Sequence, residues 1–168
     1  MMASLGAGAI GPGGALPAPD LDVVLACARM LQQQTLAGHL QPSLRGKYIA
    51  LVRTDGDGGP GALLERAATE LGATVAQVRP FHDGPPPTSA EVQHIAWLIG
   101  RLYDAIEWPH AGAGLMEGLR EAAGIPVYDG LASDAHPTAH LANLLDLASP
   151  LADRRRFIIQ AVLLATIV

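Results

Sequence analysis

One histidine of this sequence, His136, stands in a short polar loop where a ligand could bind. The loop follows residues 124–130, which have the pattern of a buried strand, and within residues 131–145 it leads into the first turn of a predicted helix with an apolar face. A strand that runs into a loop and a helix N-terminus places unpaired backbone N–H groups and the positive end of the helix dipole together. The pattern predicts an anion-binding position for His136. The alternative, that His136 only hydrogen-bonds the loop before its helix, stays open.

Other residues with ligand-binding chemistry are more scattered along the chain. Arg53 and His110 each follow a predicted strand, and with His136 they could line one cleft at the carboxyl edge of a sheet. A metal site from Asp55, His110 and His136 is conceivable, but no tight ligand spacing supports it, so we predict no metal and no cofactor. Residues 55–59 lack the closing glutamate of a calcium loop and the Gly-Lys-Ser/Thr ending of a phosphate loop. That run indicates a flexible glycine loop.

The composition narrows the class of protein. The chain has 168 residues, of which 49% are hydrophobic and only 4% aromatic, and its net charge is −5. This length suits one domain with a substantial core, and small aliphatic residues favour helices packed on a sheet. Because 11 Lys and Arg residues stand against 16 Asp and Glu residues, with no basic stripe, we expect no nucleic-acid partner. The single cysteine, Cys27, is expected to be a core residue of a cytoplasmic protein.

The two ends of the chain differ in composition. Residues 1–19 are mostly Gly, Ala and Pro without the pattern of a signal peptide, so we expect a disordered or loosely attached arm before a single domain at 20–168. The end of that domain, 152–168, is a predicted buried helix whose apolar run is shorter than the about 20 residues that span a membrane. No membrane association is therefore expected. We predict that the three arginines at 154–156 form a solvated first turn, although they could also bind an anion or a partner's carboxylate.

Alternating strand and helix patterns predict a parallel sheet. Strands are predicted at residues 47–52, 74–78, 104–108 and 126–128. Helices are predicted at residues 20–38, 62–71, 91–102 and 115–123, with Asp20 as the N-cap of the first and Pro60 at the first turn of the second. Short connections between alternating elements imply a three-layer α/β fold, in which a four-stranded parallel sheet carries helices on both faces.

Several segments, taken in order, resemble one known family. They are Leu-Arg-Gly-Lys-Tyr-Ile-Ala-Leu at 44–51, Leu-Glu at 64–65, Leu-Gly at 71–72, Tyr-Asp-Ala-Ile at 103–106, Gly-Ile-Pro-Val-Tyr-Asp-Gly-Leu at 124–131, His-Pro-Thr at 136–138 and Leu-Ala-Asn-Leu-Leu at 141–145. Together they resemble the carbamoyl-phosphate domain of ornithine and aspartate carbamoyltransferases over most of residues 20–148. The His-Pro-Thr run after the predicted strand and its Gly-Leu turn is the most specific part.

The resemblance implies where carbamoyl phosphate would bind, and there this sequence departs from the family. Family members carry Ser-Thr-Arg-Thr-Arg after the first strand, and a gapless match places there Asp57, Gly58, Gly59, Pro60 and Gly61. The family's arginine after the third strand corresponds to Pro109 or His110, and its glutamine after the conserved histidine corresponds to Ala139. Since charge-assisted hydrogen bonds contribute about 1.5–3 kcal/mol each, these changes should lower the affinity for the donor by several orders of magnitude. Of this set only His136 is retained.

The resemblance suggests two functional hypotheses. No counterpart of the family's amino-acid domain follows, whereas residues 153–166 resemble the family's final helix. The favoured hypothesis is a non-catalytic binding or assembly subunit with a possible small anionic ligand, forming a homotrimer or a hetero-oligomer with a carbamoyltransferase or another enzyme, because family members form trimers through this domain. The alternative is a carbamoyltransferase for an amino-acid-type acceptor, in which His136 polarises a carbonyl and a partner chain supplies the acceptor pocket.

Overall fold

The computed structural model describes residues 19–53, 59–80 and 85–168. In chain order, its elements are α1 (Leu21–Leu36), β1 (Tyr48–Val52), α2 (Pro60–Glu70), β2 (Thr74–Val78), α3 (Ser89–Leu102), β3 (Ala105–Glu107), α4 (Ala113–Ala122), β4 (Val127–Tyr128), a 3₁₀ helix (Ala139–Leu144) and α5 (Leu151–Ile167). The arm expected at residues 1–19 lies outside the described residues except for Pro19, so it stays a prediction.

The four strands form one parallel sheet in the order β2-β1-β3-β4. Ile49 of β1 pairs with Val75 of β2 on one side and with Ala105 of β3 on the other, and Ile106 pairs with Val127 of β4. Within the described chain β4 is an outer strand, so one of its edges has no strand partner. The predicted four-stranded parallel sheet is confirmed.

Local sequence features determine where the helices begin. Asp20 is the N-cap of α1, as predicted, and its Oδ1 accepts a hydrogen bond from the backbone N–H of Asp22 at 2.9 Å. Pro60 starts α2, where its missing N–H has no intrahelical partner to lose. Thr88 and Glu91 form a reciprocal capping box at the start of α3.

The side chains of β1 alternate between two hydrophobic clusters, one on each face of the sheet. Ile49 and Leu51 belong to the cluster built with α1, α2, α5 and the 3₁₀ helix. Ala50 and Val52 belong to the cluster built with α3 and α4. A parallel strand that is covered on both faces is apolar throughout, which explains the continuous Ile-Ala-Leu-Val run. The three-layer α/β architecture predicted from the sequence is therefore confirmed.

Helix α5 covers the first of these faces, where it contacts α1, α2 and the 3₁₀ helix. Its buried apolar residues are Phe157, Ile158, Ile159, Ala161, Val162 and Leu163. Because each fully buried large apolar side chain contributes about 1.5–3 kcal/mol before chain entropy is subtracted, α5 is a major stabilising element. The predicted C-terminal packing helix is confirmed.

No helix in the described part of the chain is long and apolar enough to cross a membrane.

One helix prediction was wrong. The apolar-faced helix predicted within residues 131–145 is not an α-helix; only the 3₁₀ helix Ala139–Leu144 is present there, and the chain becomes extended at Leu145. Helix nucleation fixes several residues before any hydrogen bond is gained, so a run that ends after six residues settles into the tighter i→i+3 pattern. The polar loop therefore leads into a short turn of helix and not into a long helix with a strong dipole.

Candidate functional site

A buried carboxylate that the sequence pattern did not reveal lies at the carboxyl end of β3. Glu107 is 3% exposed, and its two carboxylate oxygens accept hydrogen bonds from the backbone N–H groups of Gly130 at 2.6 Å and Leu131 at 3.1 Å. Burial raises the pKa of Glu107 to about 7, although these two hydrogen bonds act in the opposite direction. The available sequence signal was a single charged residue between Ile106 and Trp108 in an otherwise buried strand.

The turn after β3 is joined to the turn after β4. His110 has a φ angle of 61°, and its backbone N–H donates to Oδ1 of Asp129 at 3.1 Å. A positive φ is uncommon for a residue other than glycine, and this hydrogen bond helps to hold it. The side chain of His110 is exposed. The carboxyl edge formed by β3 and β4 thus contains two carboxylates, Glu107 and Asp129.

His136 lies in the loop after β4 and has a defined protonation state. Its Nδ1 lies 2.9 Å from Oγ1 of Thr138 and 3.3 Å from the backbone nitrogen of Thr138. Because that backbone N–H can only donate, Nδ1 is the acceptor and the ring proton resides on Nε2. Burial, followed by the positive charge of Arg155, lowers the pKa of His136 below its usual 6.5. At neutral pH His136 is therefore an uncharged imidazole with an Nε2–H donor.

Arg155 of α5 holds the loop that carries His136. Its Nη2 donates to the carbonyl oxygens of Ala132 at 3.0 Å and Ser133 at 2.8 Å, and its Nε lies 3.8 Å from Oδ1 of Asp134. Arg155 is only 5% exposed. The predicted solvated arginine turn was therefore wrong: the loop carbonyls replace water at Nη2, and Nε and Nη1 are buried without a hydrogen-bond partner among the described residues.

The remaining buried arginine joins α5 to α2. Arg156 is 4% exposed, its Nε lies 2.9 Å from Oε2 of Glu70, and its Nη1 donates to Oδ1 of Asp153 at 2.5 Å. Gln160, one turn later, donates to the same Oε2 of Glu70 at 3.0 Å. The arginines that were candidates for binding an anion or a partner's carboxylate thus bind groups of their own chain.

A cavity of about 430 Å³ lies along the outer edge of β4. Its lining residues are Pro19, Leu21, Arg120, Ile125, Pro126, Val127, Tyr128, Asp129, Leu131, His136, Pro137, Thr138, Val162 and Thr166. The structure therefore brings His136 together with Arg120 and Asp129. Neither Arg53 nor His110, which were expected in the same cleft as His136, lines this cavity.

Most positions that the family resemblance assigns to a donor site lie between the end of a strand and the first turn of the next helix. They are Gly59, Pro60 and Gly61 at the start of α2, Pro109 and His110 after β3, and Ala139 at the start of the 3₁₀ helix. Asp57 and Gly58 lie outside the described residues. None of the described residues at these positions carries a guanidinium group.

The described ranges contain no group of three or more His, Cys, Asp or Glu side chains that could hold a metal ion. Asp55, a member of the conceivable metal set, falls outside those ranges. The prediction of no metal therefore stays a prediction.

The sequence is similar to ornithine carbamoyltransferases. It is 33% identical over 134 residues to that enzyme from Actinobacillus pleuropneumoniae serotype 5b, a match that covers 76% of this chain and 38% of the relative. It is 32% identical over 136 residues to the catabolic ornithine carbamoyltransferase of Burkholderia mallei, a match that covers 77% of this chain and 38% of that relative. A scan against models of known protein families found no match. The chain thus spans less than half the length of these relatives.

Solved structures share its fold. Ornithine carbamoyltransferase from Burkholderia thailandensis superposes with a TM-score of 0.61 at 20% identity, over 74% of this chain and 42% of that one. The enzyme from Pyrococcus furiosus gives 0.59 at 23% identity over 74% and 39%. Aspartate transcarbamoylase from Trypanosoma cruzi, in complex with N-(phosphonacetyl)-L-aspartic acid, gives 0.56 at 16% identity over the same shares. These likenesses support the three-layer fold.

Proposed function

This chain is a homologue of part of the ornithine and aspartate carbamoyltransferases, and we propose that it is a non-catalytic member of that family. In this proposal it keeps the fold of the carbamoyl-phosphate domain and serves as a binding or assembly subunit. Its donor site is degenerate, and it uses no metal and no cofactor.

The observation that carries the proposal is the charge at the carboxyl edge of the sheet. Gly59, Gly61 and Pro109 have no side-chain donor at positions where the resemblance implies guanidinium groups. Asp129 places a carboxylate at the same edge, and the buried carboxyl group of Glu107, whose pKa is about 7, adds negative charge there as it ionises. A phosphate dianion there would lose charge-assisted hydrogen bonds of about 1.5–3 kcal/mol each and would be repelled by the carboxylates.

His136 alone does not restore such a site. Its Nδ1 already accepts hydrogen bonds from Thr138, which leaves only Nε2–H for a ligand. A net contribution of about 0.5–1.5 kcal/mol from one hydrogen bond is far below what holds a hydrated dianion. The glutamine that the family places after the histidine is Ala139 here, so a second contact to the carbamoyl group is absent as well.

Calorimetric titration with carbamoyl phosphate, together with thermal unfolding in inorganic phosphate, tests this proposal. We expect no saturable heat from the unaltered protein at ligand concentrations of about 1 mM. The double substitution Gly61→Arg with Pro109→Arg should gain affinity for phosphate, because it places guanidinium groups where the family resemblance implies them. The side chain at position 61 has room, since a Cβ there would lie 3.7 Å from Cδ2 of Leu51, an ordinary contact. The double substitution Ala122→Arg with Ala37→Arg adds the same two positive charges at exposed positions at the C-terminal ends of α4 and α1, and it should gain nothing.

The alternative is a carbamoyltransferase with a modified donor site whose acceptor pocket, for an amino-acid-type acceptor, comes from a partner chain. The observation in its favour is the neutral His136 with a free Nε2–H, which is the form that donates to a carbonyl oxygen. Saturable binding of carbamoyl phosphate below 1 mM by the unaltered protein would support this alternative and would contradict a degenerate site.

The assembly part of the proposal is supported by exposed apolar side chains between the 3₁₀ helix and α5. Leu144, Leu147 and Leu151 are 53%, 74% and 54% exposed. Three large exposed apolar side chains within eight residues of the chain are typical of a surface that another protein covers. We propose a homotrimer or a hetero-oligomer with a carbamoyltransferase or another enzyme, in the cytoplasm.

Light scattering after size-exclusion chromatography tests the assembly. The purified protein, or the protein co-expressed with a carbamoyltransferase of the same host, should elute above the monomer mass. Leu147→Ser should shift it toward the monomer, whereas Leu36→Ser at the end of α1, where the side chain is 69% exposed, should not. A monomer in both preparations would contradict the proposal.

A further inference from the structure

The cavity beside β4 has walls from several elements and overlaps the degenerate donor site only at His136. Its apolar surface comes from Leu21 of α1, Val127 of β4, Leu131 of the following loop and Val162 of α5, among others. A volume of about 430 Å³ lies in the range of small-molecule sites. Of the positions that correspond to the family's donor site, only His136 lines it.

Two side chains that can donate hydrogen bonds to a ligand, Arg120 and His136, line this mainly apolar cavity. Arg120 is in the last turn of α4 and is exposed, and the described residues contain no ion-pair partner for it. His136 is half-buried and has Nε2–H available, because Thr138 occupies Nδ1. Both residues line the cavity, Arg120 from α4 and His136 from the loop after β4.

The acidic residue of the lining limits the ligand charge. Asp129 is exposed at one end of the cavity and binds the backbone N–H of His110. A dianion would be repelled by this carboxylate and would face mainly apolar walls, at a cost that one guanidinium group does not offset. A single carboxylate can accept from both Arg120 and Nε2–H of His136 while its apolar body replaces water along β4.

We propose that the cavity along β4 binds a small monocarboxylate with an apolar body, through Arg120 and His136. This proposal does not depend on the proposed loss of carbamoyl-phosphate binding. The two ligands differ in charge, and the two sites have only His136 in common. The carboxylate is recognised by two donors, and the body is recognised by its apolar surface alone, so chain length should be less strictly selected than charge.

Calorimetric titration with octanoate and octanol tests the site, because the two probes share an apolar body and differ in charge. We expect saturable binding of octanoate and about tenfold or more weaker binding of octanol, as one lost charge-assisted contact implies. Arg120→Gln should weaken octanoate by a similar factor. Arg45→Gln, an exposed arginine outside the cavity, should bind octanoate like the unaltered protein.

A second pair of variants addresses the histidine. His136→Ala should weaken octanoate binding, and His136→Gln, which retains an N–H donor, should recover part of it, with thermal unfolding showing that both are folded. Equal affinity for octanol and octanoate would show an apolar cavity without carboxylate recognition and would overturn the proposal. So would the absence of saturable binding, or an Arg120→Gln variant that binds like Arg45→Gln. None of these three results depends on whether carbamoyl phosphate binds.

Discussion

The ionisation of Glu107 is coupled to folding. Its pKa rises from 4.5 to about 7 because it is buried, so the folded protein binds this proton more tightly than the unfolded chain does. The stabilisation is complete below pH 4.5 and is lost as the pH rises through about 7. A difference of about 2.5 pKa units corresponds to about 3 kcal/mol of the free energy of unfolding.

Glu107→Gln should remove this pH dependence. The amide stays neutral, and its oxygen accepts a hydrogen bond from one of the two backbone N–H groups. Its NH₂ faces the other N–H group, so we expect the free energy of unfolding at pH 5 to be about 1–2 kcal/mol lower. The decrease between pH 5 and 7.5 should be smaller than in the unaltered protein. Urea unfolding at both pH values measures it, with Glu117→Gln on the exposed surface of α4 as the control. A variant that keeps the full pH dependence would contradict this account.

For individual residues, the sequence predicts a candidate ligand-binding side chain more successfully than it predicts whether a charged side chain is exposed to solvent or buried. His136 was identified because it follows a strand and a polar turn, which are local signals. Arg155 and Arg156 were expected in solvent, since an arginine run carries no local sign of the loop carbonyls and carboxylates that surround it. Glu107 was not identified because its partners, the N–H groups of residues 130 and 131, lie more than 20 residues away along the chain.

At the scale of elements, the junction of α5 with α2 depends on one buried guanidinium group. Arg156 contacts Glu70 and Asp153, which are 28% and 31% exposed, whereas Arg156 itself is almost fully buried. Arg156→Ala should lower the free energy of unfolding by about 3 kcal/mol, because it removes packing and leaves Asp153 without its cation, while Glu70 keeps only the exposed Arg66 and the amide of Gln160. Denaturant unfolding measures the loss.

Arg66 provides a matched control for this substitution. Its Nε lies 3.0 Å from Oε1 of the same Glu70, but its side chain is 61% exposed. Since exposed ion pairs contribute at most about 1 kcal/mol, Arg66→Ala should have a small effect. Equal losses for Arg66→Ala and Arg156→Ala would show that burial of the guanidinium group is not what stabilises the junction.

The contact between α3 and the end of α4 depends on a glycine. A Cβ at Gly100 of α3 would overlap the carbonyl oxygen of Ala123, so Gly100→Ala forces the helices apart. We expect a loss of about 1–3 kcal/mol in the free energy of unfolding, despite alanine's higher helix propensity. Gly114→Ala, at a position in α4 with open space around the new Cβ, should be neutral or stabilising by about 0.5–1 kcal/mol. Thermal or urea unfolding of both variants distinguishes the two outcomes.

Element types and order could be predicted from the sequence because their signals are local. Strands covered on both faces are apolar runs, helices show 3.6-residue periodicity, and caps such as Asp20 and Pro60 mark their starts. The 3₁₀ helix was missed because its leucines have helical spacing, and nothing local shows that the chain turns back after Leu145 to begin α5. The cavity along β4 could not be predicted either, since its walls come from segments far apart in the sequence.

On the scale of the whole molecule, the two hydrophobic clusters share one sheet and should unfold together. Trp108 is 3% exposed in the cluster with α3 and α4, and Ile158 of α5 is fully buried in the cluster on the opposite face. Because β1 and β3 contribute to both clusters, loss of α5 packing should destabilise the environment of Trp108 as well.

Ile158→Ala tests this cooperation between the faces. The substitution should lower the free energy of unfolding by about 2–5 kcal/mol, through lost burial and the cavity that remains. The urea midpoint of unfolding, followed by the fluorescence of Trp108 in a Trp97→Phe background, should fall. The midpoint followed by far-ultraviolet circular dichroism should fall by the same amount. Leu36→Ala, at an exposed position of α1, should shift neither. If the fluorescence midpoint stayed unchanged while the dichroism shifted, the α5 face would be unfolding as a separate unit, and the sheet would not join the two clusters into one core.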